Sequence, residues 1–177
     1  MTSRFRAINQ TAGERGLRFL LIGGHAVNAH GYSRKTFDID LLICRDDKEP
    51  WRQLMLGLGF ECLREHETFI QFASPGTPQV DLMCVGAETF AKQFDTSEVR
   101  SAFELETRVP SLFNLLALKL HAARHAPLHR RHKDLIDIIA LNEANRVEVT
   151  SDSFRDLCHK FGTPELYAEI LKANRRP

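Results

Sequence analysis

Three aspartates stand in apolar company in this 177-residue chain: Asp38 and Asp40 flank Ile39 at the head of the run DIDLLI, and Asp81 interrupts the run QVDLMC. In a strand, residues two apart face the same way, so Asp38 and Asp40 project to one side, about 6.6 Å apart at the usual rise. Phe37, Ile39, Leu41 and Ile43 are then expected to face the core. Two carboxylates at that spacing can share divalent cations, because magnesium takes hard oxygen ligands and commonly uses only one or two protein carboxylates beside waters and substrate phosphates. Two-metal phosphoryl-transfer sites hold their ions about 3.5–4 Å apart, and a third carboxylate on a neighbouring strand assists them. Asp81 is the candidate third, since a lone acid in an apolar strand is costly unless paired, ligating or solvated. Each acid also has a plainer reading: Asp-x-Asp serves as a cap or turn at many strand ends, and Asp81 could face water on an open sheet.

Fourteen positions before Asp38 lies Gly24, preceded by Gly23. A strand ending in two glycines and feeding a short helix presents backbone N–H groups that bind phosphate without side chains. The stretch lacks the third glycine of a dinucleotide fingerprint and the Gly-Lys-Ser/Thr of a P-loop. Arg34, Lys35 and Thr36 lie between glycines and acids, where their side chains could meet phosphate or stay solvated.

Several elements must position these residues. Residues 3–16 read as a polar helix stopped at Gly16, residues 18–22 as a strand, 24–29 as a short helix and 38–43 as a strand of aliphatic β-formers. Pro50 suits the first turn of a helix carrying Trp51, Leu54, Met55 and Leu58. Short strands follow at 60–63, 68–73 and 79–85, separated by turn chemistry such as Ser74-Pro75-Gly76-Thr77-Pro78. Helices are expected at 87–94, 111–125, 130–145, 153–161 and 164–173, with one more strand around 103–109. The order, sheet first and helices after, reads as α+β: a small mixed sheet with flanking helices in residues 1–110, and a helical part in 111–177 packed on it as one compact unit.

Hydrophobic residues make up 43% of the chain and charged residues 27%, a globular balance, and no apolar run approaches the roughly 18 residues that span a bilayer. The polar N-terminus does not suit a secretory signal, and the four cysteines at 44, 62, 84 and 158 form no CxxC pair, so a soluble protein in a reduced, cytoplasmic setting is expected. Net charge is +1, yet residues 119–133 hold Lys119, Arg124, Arg130, Arg131 and Lys133 with His121, His125, His129 and His132 and no acid. Such a tract could bind a polyanion or form a solvated helix face.

Gly-Gly, thirteen residues, then Asp-x-Asp between apolar positions and a later apolar-Asp-apolar strand resembles the polymerase-beta nucleotidyltransferase superfamily. GGHAVNAHGYSRKTFDIDLLI, with LALKLHAARHAPLHRRHKDLIDIIAL downstream, is similar to its AbiEii and MenT branch, over residues 19 to about 141. The resemblance implies the nucleotidyltransferase fold. It implies transfer of a nucleoside monophosphate from a nucleoside triphosphate such as ATP to an acceptor hydroxyl on RNA or tRNA, protein or a small molecule. By position, Gly23 and Gly24, with Arg34, would cradle the triphosphate, and Asp38 and Asp40 would bind magnesium or manganese. Asp81 would be a metal ligand, the general base or both. Lys119 falls where the branch has a nucleotide-facing, catalytic lysine, and Lys133, Asp134 and Asp137 fall in its Lys-Asp-x-x-Asp segment. Several members are toxins restrained by a partner antitoxin. Many superfamily members carry Gly-Ser where this chain has Gly23-Gly24, so here backbone alone would serve.

Two rivals compete. One is a non-catalytic nucleotide- or RNA-binding module with the same fold. The other is a zinc site on His121, His125, His129 and His132, against which stand Pro127 interrupting the helix and the lack of an HExxH motif. For Lys119 the alternative is a lysine on a buried leucine-rich helix that extends its ammonium to solvent.

Overall fold

Ile39–Cys44 (β2) is apolar at nearly every position and buried at all but Asp40, as expected of a strand covered on both faces. The structure, a computed structural model, describes residues 2–174, and for residues 128–130 the backbone alone. β2 runs antiparallel to Phe19–Leu21 (β1) and parallel to Val80–Val85 (β5). Phe69–Ala73 (β4) and Glu61–His66 (β3) complete a five-stranded mixed sheet in the order β1-β2-β5-β4-β3, with β4 antiparallel to both neighbours. Helices Thr2–Glu14 (α1), Gly23–Ala29 (α2), Lys48–Gly57 (α3) and Ala87–Asp95 (α4) flank it. Phe19 packs edge-on against Trp51 of α3, centroids 5.6 Å apart, and Phe5 of α1 packs edge-on against Phe19. Val80, Leu82, Ile70 and Phe72 bury one face of the sheet, as their alternation demands.

The chain divides into two units, residues 1–29 with 34–111, and residues 30–33 with 112–177. The second contains Leu112–His125 (α5), Leu128–Ala144 (α6), Asp152–Phe161 (α7) and Pro164–Asn174 (α8), packed on Leu115, Leu116, Leu120, Ile138, Leu141, Phe154 and Leu166. Ser151 caps α7, its Oγ accepting from the Phe154 N–H at 3.4 Å, which satisfies one of the helix's orphan donors. The fold class is α+β, a small mixed sheet flanked by helices and followed by a helical part.

The structure differs from the sequence reading at several points. Where one strand was expected around 103–109, a two-stranded ribbon forms, Glu98–Ala102 (β6) against Leu105–Val109 (β7), with Phe103 and Glu104 at its turn, both at positive φ. β3 extends to His66, beyond the expected Leu63. Phe37, expected in the core, is 70% exposed, because β2 begins only at Ile39 and the pleat's alternation does not reach back to it. The four cysteines are free thiols, and among the described residues no helix is long and apolar enough to cross a membrane.

Candidate active site

The parallel register of β2 and β5 sets Asp40 directly beside Asp81. Register partners on adjacent strands project to the same face, so the two carboxylates are neighbours at the inter-strand spacing of about 4.8 Å. Like charges opposite each other destabilise a sheet, so this arrangement calls for compensation, and part of it is visible at Asp81. Gln79 Nε2 donates to Asp81 Oδ1 at 3.0 Å and Oδ2 at 3.3 Å, and Gln71 Nε2, from the register position across β4, donates to Oδ1 at 3.2 Å. Asp38 lies just outside β2 on the extended approach and is exposed.

Gly23 and Gly24 begin α2, one residue beyond the end of β1, and the Ile22 N–H donates to the Asp40 carbonyl at 2.9 Å. A Cβ at residue 23 would lie 2.6 Å from Asp40 Cγ and 2.8 Å from its Cβ, and the residue sits at φ +63°, so only glycine lets the chain approach the acid this closely. A Cβ at residue 24 would meet Thr36 Cβ at 2.8 Å and Arg34 Nη2 at 3.0 Å. Asn28 fastens that segment: its Nδ2 donates to the Arg34 carbonyl at 3.0 Å while its Oδ1 accepts from the Arg34 N–H, also at 3.0 Å. Gly23, Gly24, Arg34, Asp40 and Asp81 are thus gathered in the first unit.

Sequence reasoning passed over His25, Asn28, Gln71 and Gln79. His25 follows the glycines directly and lies with its ring centroid 4.2 Å from that of Phe103 at the ribbon's turn. Burial, with the Arg34 guanidinium nearby, pushes its pKa down to about 4 against an opposing pull from Asp38, so the imidazole is neutral. Asn28 had a signal, being a two-headed amide at the end of a helix before a loop; the glutamines had none before the strand register was known.

Lys119, Asp134 and Asp137 come together in the second unit. Lys119 Nζ lies 2.9 Å from Asp134 Oδ1 and 2.7 Å from Asp137 Oδ2; Lys119 is 8% exposed and Asp137 fully buried. Burial alone would lower the lysine's pKa, but the two carboxylates outweigh it and hold the ammonium above its ordinary value. Lys133, one residue before Asp134, is exposed. Within the basic tract, Arg131 Nη2 pairs with Glu169 Oε1 at 2.6 Å, and Arg124 is exposed. The side chains of His129 and Arg130 lie outside the described residues. The His121 and His125 rings lie tilted to each other with centroids 4.5 Å apart, and burial lowers the His121 pKa.

Among the described residues no three His, Cys, Asp or Glu side chains converge on one point as a metal cage. Asp40 and Asp81 supply hard oxygens on adjacent strands, a donor set that suits magnesium, which completes its octahedron with waters and substrate phosphates.

No family model matches the chain, and no curated protein matches it in sequence. Solved structures do match in shape. The antibiotic-resistance factor ANT(2'')-Ia superposes with a TM-score of 0.62 at 18% identity, over 98% of this chain and 90% of that one; its complex with adenylyl-2''-tobramycin gives 0.61. The lincosamide antibiotic adenylyltransferase LnuA gives 0.60 at 12% identity over 80% of this chain and 96% of its own. An antigenic nucleotidyltransferase-like protein from Paracoccidioides brasiliensis gives 0.55 at 19% identity over 96% and 90%. At these identities the likeness shows the fold, and the chain shares the nucleotidyltransferase fold of these neighbours.

Proposed function

We propose that this chain is a magnesium-dependent nucleotidyltransferase that moves a nucleoside monophosphate from a nucleoside triphosphate to an acceptor hydroxyl. The observation that carries the reading is the register pairing of Asp40 with Asp81 beside a glycine whose missing side chain leaves room for the Asp40 carboxylate. Two acids held side by side are a poor way to build a sheet and a good way to hold a divalent cation. In this reading Gly23 and Gly24 offer backbone to the triphosphate, and Arg34 adds a cation. Asp38, Asp40 and Asp81 would hold magnesium, or manganese in its place. Magnesium, when bound, screens the charge that builds on the transferring phosphoryl group. The acceptor oxygen bonds to the α-phosphorus, the bond from that phosphorus to the pyrophosphate oxygen breaks, and Asp81 accepts the hydroxyl proton. Lys119, Lys133, Asp134 and Asp137 keep a proposed role toward the nucleotide. For Lys119 to engage a phosphate it must exchange a carboxylate, and Asp134 is the less buried of its two partners.

A small-molecule acceptor has the better support. The cations that favoured a polyanion are partly engaged internally, Lys119 with two aspartates and Arg131 with Glu169. Among the structural neighbours, one is in complex with adenylyl-2''-tobramycin and another is bound to lincomycin. The test is incubation with magnesium and each α-labelled triphosphate, ATP first, against tobramycin, lincomycin, total RNA and protein. Label on a small molecule that disappears in Asp40→Asn is expected, and no label on any acceptor with all four triphosphates sinks the enzyme reading in favour of a nucleotide-binding module.

The AbiEii- and MenT-like pattern of residues 23–43 and 119–137 favours a second reading, a toxin restrained by an antitoxin. Under it, expression in bacteria arrests growth, Asp40→Asn abolishes the arrest, and label appears on RNA or tRNA instead.

A further inference from the structure

The end of β1 farthest from Gly23 borders a cleft of about 370 Å³ whose lining includes none of the residues proposed for nucleotidyl transfer. Its lining is largely apolar, with Leu17, Phe19, Phe94 and Val99, yet two cations reach it. The Arg18 guanidinium carbon lies 5.1 Å from the Phe94 ring centroid, and that of Arg108 lies 4.9 Å from the same centroid. Arg108 Nη1 donates to Ser97 Oγ at 3.1 Å. Among the described residues neither guanidinium has a carboxylate within ion-pair distance, although Glu106 also borders the cleft.

Two like charges on one aromatic ring repel each other, and an anion between them relieves the repulsion. Guanidinium forks match the oxygens of a carboxylate or phosphate two at a time. Apolar walls with a few convergent polar groups are the makeup of small-molecule sites. From the ring shared by Arg18 and Arg108 and the apolar walls, we propose that this cleft binds a small ligand with an aromatic or aliphatic body and one terminal oxyanion. The guanidiniums take the oxyanion, and Leu17, Phe19 and Val99 take the body. The site is separate from the Asp40–Asp81 pair, so it stands whether or not the transferase reading does.

The test follows the arginine Nε–H resonances of the full chain by NMR during titration with phenyl phosphate, benzoate and inorganic phosphate, assigned through Arg18→Gln and Arg108→Gln. Saturable shifts at both arginines with phenyl phosphate or benzoate support the proposal, and whichever probe acts names the oxyanion. Inorganic phosphate, lacking the body, should bind at least about tenfold more weakly, and each arginine substitution should weaken the organic probe about tenfold. Both substitutions are at exposed positions and should leave nucleotidyl transfer unchanged, while Asp40→Asn should leave the titration unchanged. Absence of shifts at these two arginines with either organic probe overturns the proposal, as does binding that survives in the double variant Arg18→Gln/Arg108→Gln.

Discussion

The Asp40 carboxylate occupies the space that a side chain on Gly23 would fill: Asp40 Cγ lies 2.6 Å from the position of the missing Cβ. Gly23 and the Asp40-bearing strand are therefore one steric unit. Gly23→Ala must displace Asp40 and also adopt φ +63°, which costs a non-glycine residue about 1–2 kcal/mol. A displacement of about 1 Å at a reacting centre costs about 100-fold in rate. Transfer activity of Gly23→Ala should fall by about that factor, while Gly86→Ala, where an added Cβ meets nothing within 4 Å, should keep it. Equal activity in the two variants would dissociate the glycine from the chemistry.

Gln71 and Gln79 hold the Asp81 carboxylate through three N–H contacts between 3.0 and 3.3 Å. Replacing a partner of this kind typically costs about 10- to 100-fold in metal affinity or activity. Gln79→Leu should fall in that range, and the parameter that moves assigns the role of Asp81. As a metal ligand, it would raise the magnesium concentration for half-maximal rate. As a general base, losing donors that favour its ionised form would move the acid limb of the pH–rate profile to higher pH. An unchanged rate, magnesium dependence and pH profile would make the glutamines mere fillers of the sheet face.

The halves of the candidate site were legible in the sequence to different depths. Period-two alternation around Asp81 and the aliphatic run after Asp38 were enough to name the strands and their acids, and the double glycine marked the end of β1. Their pairing was not legible, because the contact of Asp40 with Asp81 depends on which strands neighbour each other, and Gln71 meets Asp81 through a register ten residues away in sequence. The strand around 103–109 was legible as β7, but β6 and the turn before β7 escaped notice for a local reason: the turn is Phe103-Glu104, with no Gly or Asn to mark positive φ, and Glu98–Ala102 lacks an apolar face. Lys119, Asp134 and Asp137 were all singled out, but their mutual ion pairing lies in helix–helix packing that periodicity does not specify.

His25 gives the first unit an acid-side sensitivity. Its folded pKa of about 4 lies below the unfolded value of 6.5, so between these the unfolded chain binds a proton that the folded chain refuses. Stability from this group is complete above about pH 6.5 and declines as pH falls toward 4. Urea midpoints measured across that window should fall with pH more steeply for the native chain than for His25→Phe, which keeps a ring against Phe103. Parallel curves would show that the imidazole is protonated at no cost.

Lys119 pairs with two carboxylates from one buried position, and the asymmetry between those partners makes its role separable. Lys119→Met takes away the ammonium that lies 2.7 Å from the fully buried Asp137, a loss of about 3–5 kcal/mol. Asp134→Asn should destabilise less, since Asp134 is less buried and Lys119 keeps Asp137. Lys119→Met/Asp137→Leu should recover much of the loss, because replacing both charges with apolar groups removes the desolvation penalty along with the attraction. The pH dependence runs opposite to that of His25: with the folded pKa of Lys119 raised above 10.5, its contribution is complete below that value and is lost as pH rises through the folded pKa. If the ammonium also serves the nucleotide, Asp134→Asn should lower the KM for the triphosphate by loosening its hold on Lys119. A KM unchanged in Asp134→Asn, with the stability effects intact, would make the triad a device of the helical unit alone.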